Sequence, residues 1–224
     1  MNKHSGKHDD SNDDDHSGGT KMYPKLVKGN VDMVLHNSKQ AIYGDHNLLV
    51  YPSLQLFEQF YTRLCIDTVL NKNQIFLLAT YYQDVSQVKK KLKTAGIDVP
   101  KYEGNGTLLI LDSEIAYQNA MKTSINDIEK SSVSDYNIMM IGALLLRRAE
   151  KLGRNGVTIL GDLGKFILNK ELENLISYER SVPSRIDANI RPICCYHKDD
   201  FNKIRKDQRN RILASHANDF IMTN

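Results

Sequence analysis

The sequence predicts an α/β protein, a three-layer α/β/α sandwich around a mainly parallel sheet. Short apolar runs alternate with helical stripes from Val31 to the end of the chain. The central runs, such as Asn47–Tyr51 (NLLVY) and Gln74–Tyr81 (QIFLLATY), are continuously apolar rather than alternating, as expected of strands buried on both faces. Each run ends at a polar or structure-breaking residue, and strand–helix alternation of this kind implies right-handed crossovers.

The elements follow in order. Asn47–Tyr51 is a strand stopped by Pro52, and Ser53 is placed to cap the next helix. On that helix Phe57, Phe60, Tyr61, Leu64 and Cys65 recur at three- and four-residue spacing, which buries one face. Gln74–Tyr81 is the second strand. Asp84 with Gln87 forms a capping-box start for a stripe of Val85, Val88 and Leu92, with Gly96 as its stop. Thr107–Leu111 (TLLIL), ending at Asp112, is the third strand, and the polar stretch from 114 to about 133 is only weakly periodic. Tyr136–Leu152 is the strongest helix. Val157–Leu160, followed by Gly161 and Asp162, is the fourth strand, and Phe166–Tyr178 is helical. Arg191–Tyr196 (RPICCY) is the fifth strand, Asp199–Ala214 a single basic amphipathic helix, and Phe220–Met222 a last short strand.

Residues 1–30 are read as a disordered tail and 31–224 as one folded domain. The tail is rich in Asp, His, Ser, Gly and Lys, with too few apolar side chains to offset its ordering entropy. His4, His8 and His16 among carboxylates suit loose metal binding, with a solvated tail the plainer reading. Elsewhere no metal set stands out: Cys194 and Cys195 are adjacent in a strand and point to opposite faces, and Cys195 with His197 lacks further ligands in sequence reach. No cofactor and no Ser-His-Asp or Cys-His catalytic set is expected.

Three cysteines, two of them adjacent, do not form a disulfide framework and fit a reducing compartment. The start MNKHSGKHDD has no apolar run to act as a signal peptide, and the stretch Ile138–Leu146 is too short to cross a bilayer. We therefore expect a cytoplasmic protein with no membrane association. A net charge of +3 does not call for nucleic acid, and the basic helix is diluted by Asp199, Asp200 and Asp207.

Ligands of parallel α/β sheets bind at the carboxyl ends of the strands. A phosphate-binding loop would need glycines and a lysine in the turn after the first strand, and YPSLQLFEQF has neither. Ser53 still offers a helix N-terminus to an anion. Asp112 stands either as a Walker-B-type carboxylate or as the cap of the helix beginning at Ser113, the second being the simpler. His46 reads as a residue that contacts a ligand or titrates near neutral pH, or else as a hydrogen-bonded edge histidine. Tyr51 is closer to the expected crevice. Asp162, between Gly161 and Gly164, divides evenly between ligand and turn residue. Glu179 needs a partner near its helix C-terminus, with Arg185 and Arg191 as candidates. Cys195 is read as core or as a thiol ligand. His216 is read as a lid over the pocket or as a helix cap.

GDHNLLVY (Gly44–Tyr51), YEGNGTLLILDSEIAY (Tyr102–Tyr117), GVTILGDLG (Gly156–Gly164), LISYE (Leu175–Glu179), ICCYHKDDF (Ile193–Phe201) and ASHANDFIM (Ala214–Met222) follow one another in the order and spacing of a known family. Together they resemble MEDS, the sensory domain of methanogens and methylotrophs found in the regulator DcmR. The resemblance covers roughly residues 40 to 223. It implies a RecA/KaiC-like fold with a degenerate P-loop, an archaeal or bacterial source, and a non-catalytic role in signal transduction. It also implies a small-molecule ligand, with His46, Tyr51, Ser53, Asp112, Asp162, Glu179, Cys195, Tyr196 and His216 as ligand-binding candidates. Two positions depart from the family pattern: Asp162 stands where Glu is common, and His197 where Asp is common. Neither a histidine kinase nor a DNA-binding domain is visible in the chain, so a kinase or transcription regulator is expected in trans, or a homodimer. The alternative is a divergent RecA/KaiC-like nucleotide-binding protein with weak ATPase activity.

Overall fold

The computed structural model describes residues 25–117 and 138–224. The His/Asp-rich segment up to residue 24 and most of the polar stretch after Tyr117 lie outside the described residues.

Among the described residues, seven strands form one sheet: β1 (Lys25–Gly29), β2 (Asn47–Tyr51), β3 (Ile75–Thr80), β4 (Leu108–Asp112), β5 (Val157–Asp162), β6 (Ile190–His197) and β7 (Asn218–Met222). Their order is β1-β7-β2-β6-β5-β3-β4, and every pairing is parallel. The predicted three-layer α/β/α sandwich is therefore the observed one.

The helices divide between the two faces. Helices α1 (Val31–Gln40), α2 (Leu54–Ile66), α3 (Val85–Thr94) and α4 (Val99–Gly104) belong to one side. There Phe57, Phe60 and Leu64 of α2 pack with Leu49, Tyr51 and Cys195 of the sheet. The other side carries α5 (Ser113–Tyr117), α6 (Ile138–Lys151), α7 (Gly164–Leu168), α8 (Leu172–Ser181), α9 (Lys198–Lys203) and α10 (Lys206–Leu213). Its core joins Leu145, Phe166, Leu175 and Ile212 to Leu48, Val50, Cys194 and Tyr196. Alternate residues of β2 and β6 thus feed two different cores, the period-2 rule acting within continuously apolar runs. Each fully buried Leu, Val or Phe contributes about 1.5–3 kcal/mol by leaving water, and both cores draw on this.

Local signals read from the sequence recur in the structure. Ser53 Oγ accepts from the Leu56 amide at 3.3 Å, Asp84 and Gln87 close a capping box, and Gly96 takes a φ of 92° after α3. A π-helical turn, Asp67–Asn71, continues α2 toward β3.

Three expectations are corrected. Lys25–Gly29, assigned to the tail, forms edge strand β1 in register with β7, and Asn30 caps α1 through the Met33 amide. Only Val27 of β1 is buried, so the strand shows no apolar run in sequence. The single helix expected over Asp199–Ala214 is two, because buried Ile204 takes an extended conformation between α9 and α10. The helix expected over Phe166–Tyr178 is likewise two, split at Lys170, whose φ is 61°.

Candidate functional site

The sequence-selected residues fall into two groups and two outliers. The first group lies at the carboxyl ends of β2, β6 and β5. Tyr51 ends β2 and pairs in register with His197, while Asp162 ends β5 beside Cys195. The Tyr51 ring stacks on Phe57 of α2 at 4.3 Å and meets the His197 ring edge-on at 5.4 Å. Its hydroxyl donates to Asp162 Oδ2 at 3.3 Å, and the Gly164 amide donates to Oδ1 at 3.1 Å.

Asp162 is 1% exposed. Burial raises its carboxyl from the ordinary 3.8 to about 7, against the opposing pull of the Gly164, Tyr81 and Tyr82 amides and the Tyr51 hydroxyl. At neutral pH this carboxyl is poised between donor and acceptor forms. Tyr82 packs its ring against Gly164, so closely that a Cβ there would lie 2.5 Å from it, and its hydroxyl donates to Asp200. Lys203 holds the other oxygen of Asp200 at 2.5 Å. Asp112, Glu114, Asp162 and Asp200 all act on Tyr81, whose hydroxyl is pushed upward first by burial and then by these carboxylates. These carboxylates gather near Tyr81, with Lys165 bound to Glu114 at 3.0 Å.

Ser53 and Asp112 stand apart from this pair. Ser53 is the α2 cap, and Asp112 accepts from the Glu114 amide at 2.7 Å as an exposed helix cap. A Walker-B-type role for Asp112 is corrected by the strand order. β4 is at the sheet edge, four strand steps from β2, which is about 19 Å at 4.8 Å per step. The carboxylate that faces the β2–α2 turn is Asp162.

The second group is buried toward the amino ends of the strands. His46 precedes β2, Cys194 lies in β6, His216 precedes β7 and Glu179 comes from α8. His46, Leu48 and Val50 share a parity along β2, as Cys194 and Tyr196 do along β6, so all face α8. His46 Nε2 lies 3.2 Å from Cys194 Sγ and 3.5 Å from Glu179 Oε2, and His216 Nε2 lies 3.3 Å from the same oxygen. The two imidazoles are 4.0 Å apart. Tyr196 donates its hydroxyl to Glu179 Oε1, and His216 Nδ1 bonds the Ile212 carbonyl of α10 at 2.8 Å.

Here too the structure corrects the sequence reading. Glu179 is held by histidines and a tyrosine. Arg185 instead approaches Asp45 at 4.0 Å, and Arg191 bonds the Lys39 and Ala41 carbonyls. His46 is not an edge residue titrating near neutrality: it is fully buried, and burial followed by His216 lowers its pKa to about 3. His216 is pushed upward, because the Glu179 carboxylate outweighs the burial that opposes its charge. Cys195 lies in the opposite core, in keeping with its core reading, its Sγ near the Ile193 carbonyl at 3.5 Å, and Cys194 is the cysteine that meets His46. Parity with Tyr196 was the sequence signal for Cys194. Tyr82 and Asp200 were not singled out, although Asp200 lies within the ICCYHKDDF segment.

Among the described residues no helix is long and apolar enough to cross a membrane. A search of curated proteins gave no match. Among solved structures, a KaiC-like protein from the hyperthermophilic archaeon Pyrococcus horikoshii OT3 is similar at a TM-score of 0.47 and 12% identity, over 76% of this chain and 68% of that one. That likeness is too distant to carry a functional comparison. A profile of the family described as MEDS, MEthanogen/methylotroph, DcmR Sensory domain, matches residues 45–217, a span that holds both groups of residues. With well over half of its length matched, the chain belongs to the MEDS family of sensory domains.

Proposed function

We propose that this sensory domain is non-catalytic and binds a small neutral or cationic molecule at the carboxyl ends of β2, β6 and β5, with Tyr51 and Asp162 as its central contacts. The observation that carries the reading is the Tyr51–Asp162 hydrogen bond at the carboxyl ends of β2 and β5, the end of the sheet where parallel α/β proteins bind ligands. The β2–α2 turn offers no glycine amides and no lysine, and Pro52 has no N–H at all. Asp162 beside Tyr51 offers no positive charge to a triphosphate and suits a hydrogen-bonding or positively charged ligand. The ligand-bound crevice signals to a protein supplied in trans, such as a histidine kinase or a transcription regulator, or through a second copy of the chain.

One observation favours a second reading. Asp162 faces the β2–α2 turn, where a carboxylate would hold Mg²⁺ against a bound nucleotide. Native mass spectrometry of the purified protein separates the two. A co-purifying small molecule lost in both Tyr51→Phe and Asp162→Asn supports the sensor. A co-purifying nucleoside phosphate overturns it in favour of the nucleotide binder.

A further inference from the structure

We propose that His46, Glu179, Cys194 and His216 form a closed four-ligand site for one divalent transition metal ion, zinc being the best fit. This site is separate from the crevice at the other end of the strands, and it stands whether or not that crevice binds a ligand. The four donor atoms all lie within 4.8 Å of one another. Tetrahedral zinc, with bonds of about 2.0–2.3 Å, sets its donors about 3.3–3.6 Å apart. The spacings of 3.2, 3.5 and 3.3 Å among His46, Cys194, Glu179 and His216 already approach that figure.

The surroundings of the four side chains are those of a metal centre. His216 gives its Nδ1 proton to the Ile212 carbonyl, which turns the Nε2 lone pair toward the cluster. Tyr196 occupies Glu179 Oε1 and leaves Oε2 as the free donor. His216 Nε2 and Glu179 Oε2 are buried and meet each other as an ion pair at 3.3 Å without a well-aligned hydrogen bond, and an ion between them would satisfy both. Charge closes the case: a carboxylate, a thiolate and two neutral imidazoles balance a divalent cation, so the centre is electroneutral in a region where every ligand is at most 4% exposed.

Binding forms four dative bonds and takes Cys194 as its thiolate and both histidines with a free Nε2 lone pair, the protons these atoms carried passing to solvent. Two imidazoles and a thiolate select zinc or a similar borderline ion over Mg²⁺ or Ca²⁺. With all four positions taken by protein, the ion is structural, fastening α8 to the sheet through β6 and the residues leading into β2 and β7. The sequence hid this set because its members come from four separate segments.

The test uses the full chain stripped with a chelator and titrated with Co²⁺, then with Zn²⁺. We expect one Co²⁺ per chain with tetrahedral d–d absorption and a thiolate-to-cobalt charge-transfer band, both abolished by Zn²⁺. The chain has three cysteines, so Cys65→Ser and Cys195→Ser variants that keep the band, with Cys194→Ser losing it, assign the thiolate. Should Cys194→Ser fail to fold, retention in the other two makes the same assignment. His216→Gln, removing a direct ligand, is expected to weaken Co²⁺ by more than the roughly 10- to 100-fold that outer-shell changes cost. Replacing His4, His8 and His16 together by Gln leaves the band unchanged. A folded wild-type chain that gives no charge-transfer band, or a band that survives Cys194→Ser, overturns the proposal.

Discussion

Asp162 is a buried carboxyl at the carboxyl end of β5. Folding raises its carboxyl from 3.8 to about 7, so the folded protein holds a proton there that the unfolded chain gives up. The stability this group contributes is complete below pH 3.8 and is lost as pH rises through about 7. Three pH units correspond to at most about 4 kcal/mol. Urea unfolding of Asp162→Asn is expected to lack this fall between pH 4 and 7, while wild type shows it; parallel profiles would contradict the burial argument. Gly161 gives a second residue-scale prediction. A Cβ there would meet the Tyr117 hydroxyl at 2.0 Å, so Gly161→Ala should destabilise by about 1–3 kcal/mol in the same assay.

At the scale of elements, the structure explains which parts of the sequence were readable. Strands β2, β3 and β5 were legible because both of their faces are covered, which leaves an uninterrupted apolar run. Caps at Ser53 and Asp84 were legible because they depend on residues three positions apart. Asp84→Ala is expected to cost about 1 kcal/mol in thermal unfolding through loss of the capping box. The break between α9 and α10 was not legible, because Ile204 is turned inward by a core assembled from distant segments. The same holds for the candidate sites. His46, Glu179, Tyr196 and His216 were each singled out, yet their meeting depends on β7 and β6 flanking β2, which no local pattern encodes. Asp112 and Asp162 illustrate the opposite error. Both follow an apolar strand, and only the strand order shows which one faces Tyr51.

At the scale of the molecule, the fully parallel sheet has two edges among the described residues, β1 and β4, and there β1 pairs with β7 alone. A chain beginning at Lys25 keeps β1 and the Asn30 cap. One beginning at Val31 loses both and exposes the edge of β7, the strand that follows His216. We expect calorimetric melting to show a clear drop in Tm for the second chain relative to the first. Equal melting temperatures would mean that β1 adds nothing to the sheet.

The central claim is that the scaffold has exchanged a phosphate cradle for the Tyr51–Asp162 pair. Isothermal calorimetry of the full chain with Mg-ATP tests it most directly. The account predicts no binding heat at neutral pH. Micromolar binding that disappears in Asp162→Asn would contradict it.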